Sequence, residues 1–89
     1  MRPNPVTGEI WRHFKHDPSG PENNYIYEIM GIGRHSETEE VLVIYRPLVS
    51  GEYPWLDQVG ASFNARPLEM FIDKKEVDGR LVDRFIKIK

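Results

Sequence analysis

The sequence predicts an all-β domain, a small barrel of about five short strands, on three observations. Runs rich in β-branched and aromatic residues recur at short intervals, Tyr25–Gly33 and Val41–Arg46 being the clearest. Turn formers separate these runs, and no stretch carries a convincing helical pattern. Finally, 89 residues bury roughly 64% of the unfolded surface, enough for a single core. Closing the sheet covers edges that no helix is at hand to cover, and a curved open sheet is the alternative.

Each element follows from its residues. Residues 1–7, with Pro3 and Pro5 and little apolar content, read as a flexible N-terminal arm ahead of a domain over residues 8–89. A strand is expected near 9–15, with Ile10, Arg12 and Phe14 on one face and Trp11 and His13 on the other. His16–Asn24 is dense in Pro, Gly, Asn, Asp and Ser and reads as a loop. Strands near 25–33 and 40–46 are joined by the polar stretch Arg34–Glu40, a hairpin whose outer part is wet. Gly31 and Gly33 suit strong bending, since glycine in a strand marks a bulge or a corner. Pro47 ends the third run, Ser50–Pro54 is a turn before Trp55 and Leu56, and Gly60–Asn64 is a loop or excursion. A strand near 67–73 follows, and Asp78-Gly79 carries a type I′ hairpin signal into a strand near 80–88. Leu81/Phe85 and Val82/Ile86 also match helical spacing, but Val82, Ile86 and Ile88 share a period-2 face and the hairpin needs a partner strand.

Composition narrows the function classes. Twelve Lys and Arg against 14 Asp and Glu leave a net charge of -2, which gives no strong signal for nucleic acid or an anionic membrane as partner. The charge is uneven, with six basic side chains (Lys74, Lys75, Arg80, Arg84, Lys87, Lys89) gathered in the tail; such a run more often solvates a strand than grips a ligand. Without Cys there is no disulfide frame, thiol nucleophile or thiolate zinc site. The N-terminus lacks the apolar run of a signal peptide and no stretch approaches a membrane span, so a cytoplasmic protein is expected.

The candidate chemistry is thin. His35-Ser36-Glu37 suggests a nucleophilic site, but neighbours in sequence point different ways and no Gly-x-Ser-x-Gly elbow is present. His13 and His16 are three apart, so zinc would need carboxylates from distant positions. Gly31-Ile32-Gly33 lacks the third glycine of a dinucleotide fingerprint. No metal, cofactor or catalytic residue is therefore expected. The arginines remain. Arg12, Arg34, Arg46 and Arg66 each sit in or beside an apolar segment, where a long cation needs a carboxylate such as Glu28, Glu37 or Glu69, or else an anionic ligand. The commoner situation is the first, in which Arg–Glu pairs staple the fold.

The strings Gly8–Lys15, Tyr27-Glu28-Ile29, Gly31–Thr38, Val43–Arg46 and Arg66–Phe71 resemble the bacterial family called domain of unknown function 1653. The similarity covers about residues 8–86, and Arg34-His35-Ser36-Glu37-Thr38 and Arg66-Pro67-Leu68-Glu69-Met70-Phe71 carry it most specifically. The resemblance implies an SH3-like β-barrel with no assigned activity, substrate or catalytic residues. Departures are the longer Leu56–Ala65 connection and the longer Asp17–Asn24 loop. Of the matching positions, Phe14, Leu68, Met70 and Phe71 are assigned to core packing. The polar ones supply the candidate ligand-binding set Arg12, Arg34, His35, Tyr45, Arg46, Arg66 and Glu69.

The functional expectation is a binding module for an anionic small molecule, peptide or nucleic-acid end. The alternatives are a small hydrolase-like enzyme using the Arg, His and Glu positions, or a purely structural or protein-interaction module. If the polar residues serve the fold, Glu69 should pair with Arg46 or Arg12, and His35 should bond the backbone of its own hairpin.

Overall fold

The computed structural model describes residues 4–48 and 63–89. The turn at Ser50–Pro54, Trp55 with Leu56, and residues 60–62 of the expected loop lie outside these. The described chain runs β1 (Ile10–His13), β2 (Ile26–Arg34), β3 (Val41–Pro47), β4 (Asn64–Pro67), α1 (Leu68–Phe71), β5 (Lys74–Val77), β6 (Arg80–Asp83) and β7 (Phe85–Lys87). The all-β class holds, with one helical turn added. β1 to β4 form an antiparallel meander, and β7 returns beside β1, giving the sheet order β4-β3-β2-β1-β7. β5 and β6 make a separate ribbon.

The expected strands near 9–15, 25–33 and 40–46 correspond to β1, β2 and β3, where β-branched and aromatic density is highest. The ladder between β2 and β3 shifts between Ile29 and Gly31, so the bend expected at the glycines is a bulge at Met30. Asp78 (φ +51°) and Gly79 (φ +79°) are both left-handed, as a type I′ hairpin requires, and join β5 to β6.

Closure into a barrel is not observed: among the described residues no ladder joins β4 to β7. The sheet is nevertheless strongly curled. In a flat sheet the two edges would lie about 19 Å apart, yet the Arg66 guanidinium of β4 sits 5.4 Å from the centre of the Phe85 ring of β7. The opening is filled by a side chain. Phe71, fully buried, stacks on Phe85 at 4.0 Å and meets Trp11 and Tyr45 edge-on.

Two further expectations need correction. The stretch 67–73 is not a strand: β4 ends at Pro67, and Leu68–Phe71 forms a turn of helix closed by the Ile72 amide on the Leu68 carbonyl (3.1 Å). Leu68, Phe71 and Ile72 at i, i+3 and i+4 then face the core together, whereas Met70 is turned outward and 47% exposed, not in the core as assigned. Phe14 is only half-buried. The tail is likewise not one strand. The chain breaks at Arg84, whose amide bonds Asp73 and whose carbonyl accepts from Phe14. This break turns Phe85 inward to 1% exposure and leaves Ile86 and Ile88 on the surface. A bidentate Arg84–Asp73 pair (2.6 and 3.1 Å) holds the break in place.

The core cluster is Trp11, Tyr27, Ile29, Val43, Tyr45, Phe71 and Phe85, with Tyr25, Leu68 and Ile72 packed against it. At the N-terminal side Pro5 is buried, and Glu9 accepts from the Val6 amide (2.8 Å) and the Trp11 indole (3.1 Å) while pairing with Lys87 (3.0 Å). Burial alone would raise the Glu9 carboxyl, but those three hydrogen bonds outweigh it and hold the group below its ordinary range.

Candidate functional site

Residues directly opposed in an antiparallel ladder point to the same side of the sheet, so the registers sort the side chains. Tyr27 opposite Trp11, Ile29 opposite Tyr45, Arg66 opposite Val43, and His13 opposite Phe85 define the inner, concave side. Glu28 opposite Arg46, and Arg12 between Ile26 and Ile86, define the outer side. One inward position on the edge strand β4 is therefore occupied by an arginine that faces aromatic rings.

The inner side carries an open hollow of about 230 Å³ lined by His13, Lys15, Tyr25, Tyr27, Tyr45, Arg66 and Phe85. Its rings meet edge to face: Tyr27 on Tyr45 at 5.2 Å and 90°, Tyr45 on Phe85 at 5.8 Å, and His13 on Phe85 at 4.8 Å. Tyr25 reaches this group from a left-handed backbone (φ +55°), a conformation that costs a bulky residue energy and is kept by its surroundings. Those surroundings include the His13 amide bonded to the Tyr25 carbonyl (2.9 Å) and the two rings packed at 5.7 Å.

His13 is a buried imidazole whose Nδ1 accepts the Lys15 amide at 3.1 Å. In the neutral ring this leaves the proton on Nε2, which makes His13 a hydrogen-bond donor. Burial, and then the positive charges of Arg66, Lys15 and Arg84, push its pKa down to about 4. Arg66 donates through Nε to the Tyr45 hydroxyl (3.2 Å) and has no ion-pair partner among the described residues. The described lining thus combines aromatic walls, two cations and a neutral N–H donor, without a carboxylate.

The structure brings together only two of the seven expected site residues, Tyr45 and Arg66. Arg12 lies on the outer side, beside a second cavity of about 370 Å³ that also touches His13, Phe14, His16 and the β5–β6 ribbon. Arg46 pairs with Glu28 directly across the ladder at 2.6 Å. Arg34 lies six positions further along β2, about 20 Å away at strand rise, and pairs with Glu39 at 3.2 Å. His35 Nδ1 accepts the amides of Glu37 and Thr38 (3.2 and 3.3 Å), so it bonds its own hairpin backbone, one of the outcomes expected of a fold-serving residue. Glu69 does not pair with Arg46 or Arg12: it sits exposed on α1 beside a shallow hollow with Glu40 and Val41. The strand-to-helix change at Pro67 is what turns it away.

His13, Lys15, Tyr25, Tyr27 and Phe85 of this lining were not among the expected ligand-binding residues. The signal for His13 was present, since it shares a strand face with Trp11. Nothing local marks Lys15 or Phe85, because β1 meets β7 only in the folded sheet. Among the described residues no group of three or more His, Asp or Glu gathers to hold a metal ion, and no helix is long and apolar enough to cross a membrane.

Fold and cavity together describe a small curled-sheet domain with a cation-bearing aromatic hollow. The family described as "Protein of unknown function (DUF1653)" matches residues 9–87, nearly the whole chain, and the protein belongs to that family. Comparison with curated proteins and with solved structures gives no match.

Proposed function

We propose that the protein is a binding module whose concave cavity holds an anionic group. The observation that carries this reading is Arg66: a cation held over the Phe85 ring and bonded to the Tyr45 hydroxyl, with no carboxylate in an ion pair with it among the described residues. Arg46, Arg34 and Arg84 all have acidic partners and serve the fold. A cation kept beside apolar surface with no direct ion pair among the described residues, and with Asp73 acting on it only through the longer-range field, retains attraction for an incoming anion, which the low local dielectric strengthens.

Binding is favoured over hydrolysis by the same lining. A histidine with a pKa of about 4 is a weak base at neutral pH, and the described lining offers no Ser, Thr or carboxylate as nucleophile. The test is thermal shift against a panel of small carboxylates, phosphates and acidic peptides, with Arg66→Gln as control. A ligand at 100 times its Kd adds about 2.7 kcal/mol to stability, which raises the Tm of a domain this size by about 10–20 °C. We expect one anion class to do so, and Arg66→Gln to abolish the shift. No shift from any anion at millimolar concentration, or an equal shift in Arg66→Gln, overturns the reading.

A further inference from the structure

The cavity on the outer side of the sheet is a groove that shares only His13 of its described lining with the concave hollow. Arg12 stands there between Ile26 of β2 and Ile86 of β7, its direct neighbours across the two ladders. Val77 and Val82 of the separate β5–β6 ribbon line the same space. Its volume of about 370 Å³ falls within the roughly 300–1,000 Å³ of small-molecule sites. The apolar part of the lining is Phe14, Pro18, Val77, Val82 and Ile86, and these surfaces are open. Ile86 is 41% exposed, Pro18 is exposed, and Phe14, Val77 and Val82 are half-buried.

The charges of the groove select its ligand. Arg34, Arg46, Lys74, Arg84 and Lys87 are all ion-paired, whereas Arg12 has neither an ion pair nor a side-chain hydrogen bond among the described residues. The other polar groups are already committed. Asp83 pairs with Lys74 at 3.3 Å, and His16 Nδ1 donates to the Asn24 carbonyl at 2.7 Å, since a carbonyl only accepts. An apolar groove with one unengaged guanidinium fits a single negative charge on an apolar body. The Asp83 carboxylate in the lining opposes a second negative charge and so disfavours a phosphate dianion. Val77, Val82 and Ile86 are aliphatic, so burial of CH₂ groups rather than ring stacking supplies the remaining affinity.

We propose that this outer groove is a second binding site, for a small aliphatic carboxylate, with the carboxylate on the Arg12 guanidinium and the chain along Val77, Val82 and Ile86.

NMR titration of the full chain tests this with four probes at millimolar concentration: hexanoate, acetate, hexanamide and inorganic phosphate. Hexanoate is expected to bind, with shifts centred on Arg12, Val82 and Ile86. Each CH₂ laid against the groove should tighten binding about 2- to 4-fold, so acetate should be weaker by more than about 10-fold. Hexanamide keeps the chain and loses the charge, and it should be weaker by about 10-fold, as should hexanoate with Arg12→Gln. Ile86→Ala, at a surface position, should weaken hexanoate about 2- to 5-fold and leave acetate unchanged, which keeps the test decisive should Arg12→Gln fail to fold. Equal binding of hexanoate and hexanamide, of hexanoate and acetate, or of hexanoate to the native chain and Arg12→Gln overturns the proposal. Phosphate binding ahead of hexanoate, or no binding of hexanoate, overturns it too. Shifts confined to Tyr25, Tyr45 and Arg66 would put the carboxylate in the concave hollow, overturning the groove site while supporting the anion-binding reading above.

Discussion

Unfolding returns the His13 imidazole from a pKa of about 4 to its ordinary 6.5, so between these values the unfolded chain binds more protons than the folded one. The stability that neutral His13 contributes is therefore complete above pH 6.5 and is lost as pH falls toward 4. The slope cannot exceed about 1.4 kcal/mol per pH unit for one group. Melting followed from pH 7 to 5 should show a falling Tm that flattens in His13→Gln; an unchanged slope in that variant refutes the assignment. Asp73 behaves oppositely in origin: its hydrogen bonds from Arg84 hold the carboxyl below its ordinary 3.8, and this contribution disappears only as pH drops below that value. The two groups thus act in separate windows. Asp73→Asn keeps the shape but removes the charge, and denaturant unfolding should show a loss of about 1.5–3 kcal/mol, the range for a charge-assisted hydrogen bond.

At the scale of elements, the turn of helix α1 is the departure with most consequence. It exchanges the positions that a strand would bury: Phe71 stands wholly inside and Met70 is half out. Phe71→Ala should cost about 3–5 kcal/mol by chemical denaturation, while Met70→Ala should stay within about 0.5 kcal/mol. Comparable losses at both positions would argue for the strand. α1 also explains the site. By delivering Phe71 against Phe85, Tyr45 and Trp11, it packs from behind two of the rings, Tyr45 and Phe85, that line the hollow.

Across the whole molecule, the first and last strands are joined. β7 pairs with β1, the Ile10 amide bonds the Lys89 carbonyl, and Glu9 reaches Lys87. Phe85 lies in the centre of the core and in the wall of the cavity at once. Removing residues 85–89 deletes that ring and exposes the edge of β1. The truncated chain should lose cooperative thermal unfolding and dispersed amide signals in NMR. A truncated chain that keeps both would show that the sheet stands without its last strand.

What the sequence determined alone is what depends on near neighbours. β-Branched density marked β2 and β3, Gly31 marked the bulge, Asp78-Gly79 marked the ribbon turn, and the polar run after Arg34 marked the hairpin in which His35 bonds its own backbone. Tyr45 and Arg66 were legible as candidates for the site, but their meeting was not. Whether Arg66 points in beside Tyr45 or out beside Arg46 depends on the register of β4 against β3, and a shift of one residue reverses it. The tertiary structure alone decided that register, the helical turn that buries Phe71, and the break at Arg84 that brings Phe85 to His13. Each of these is settled by packing between segments far apart in the chain, where local preference is weaker than burial of a large ring.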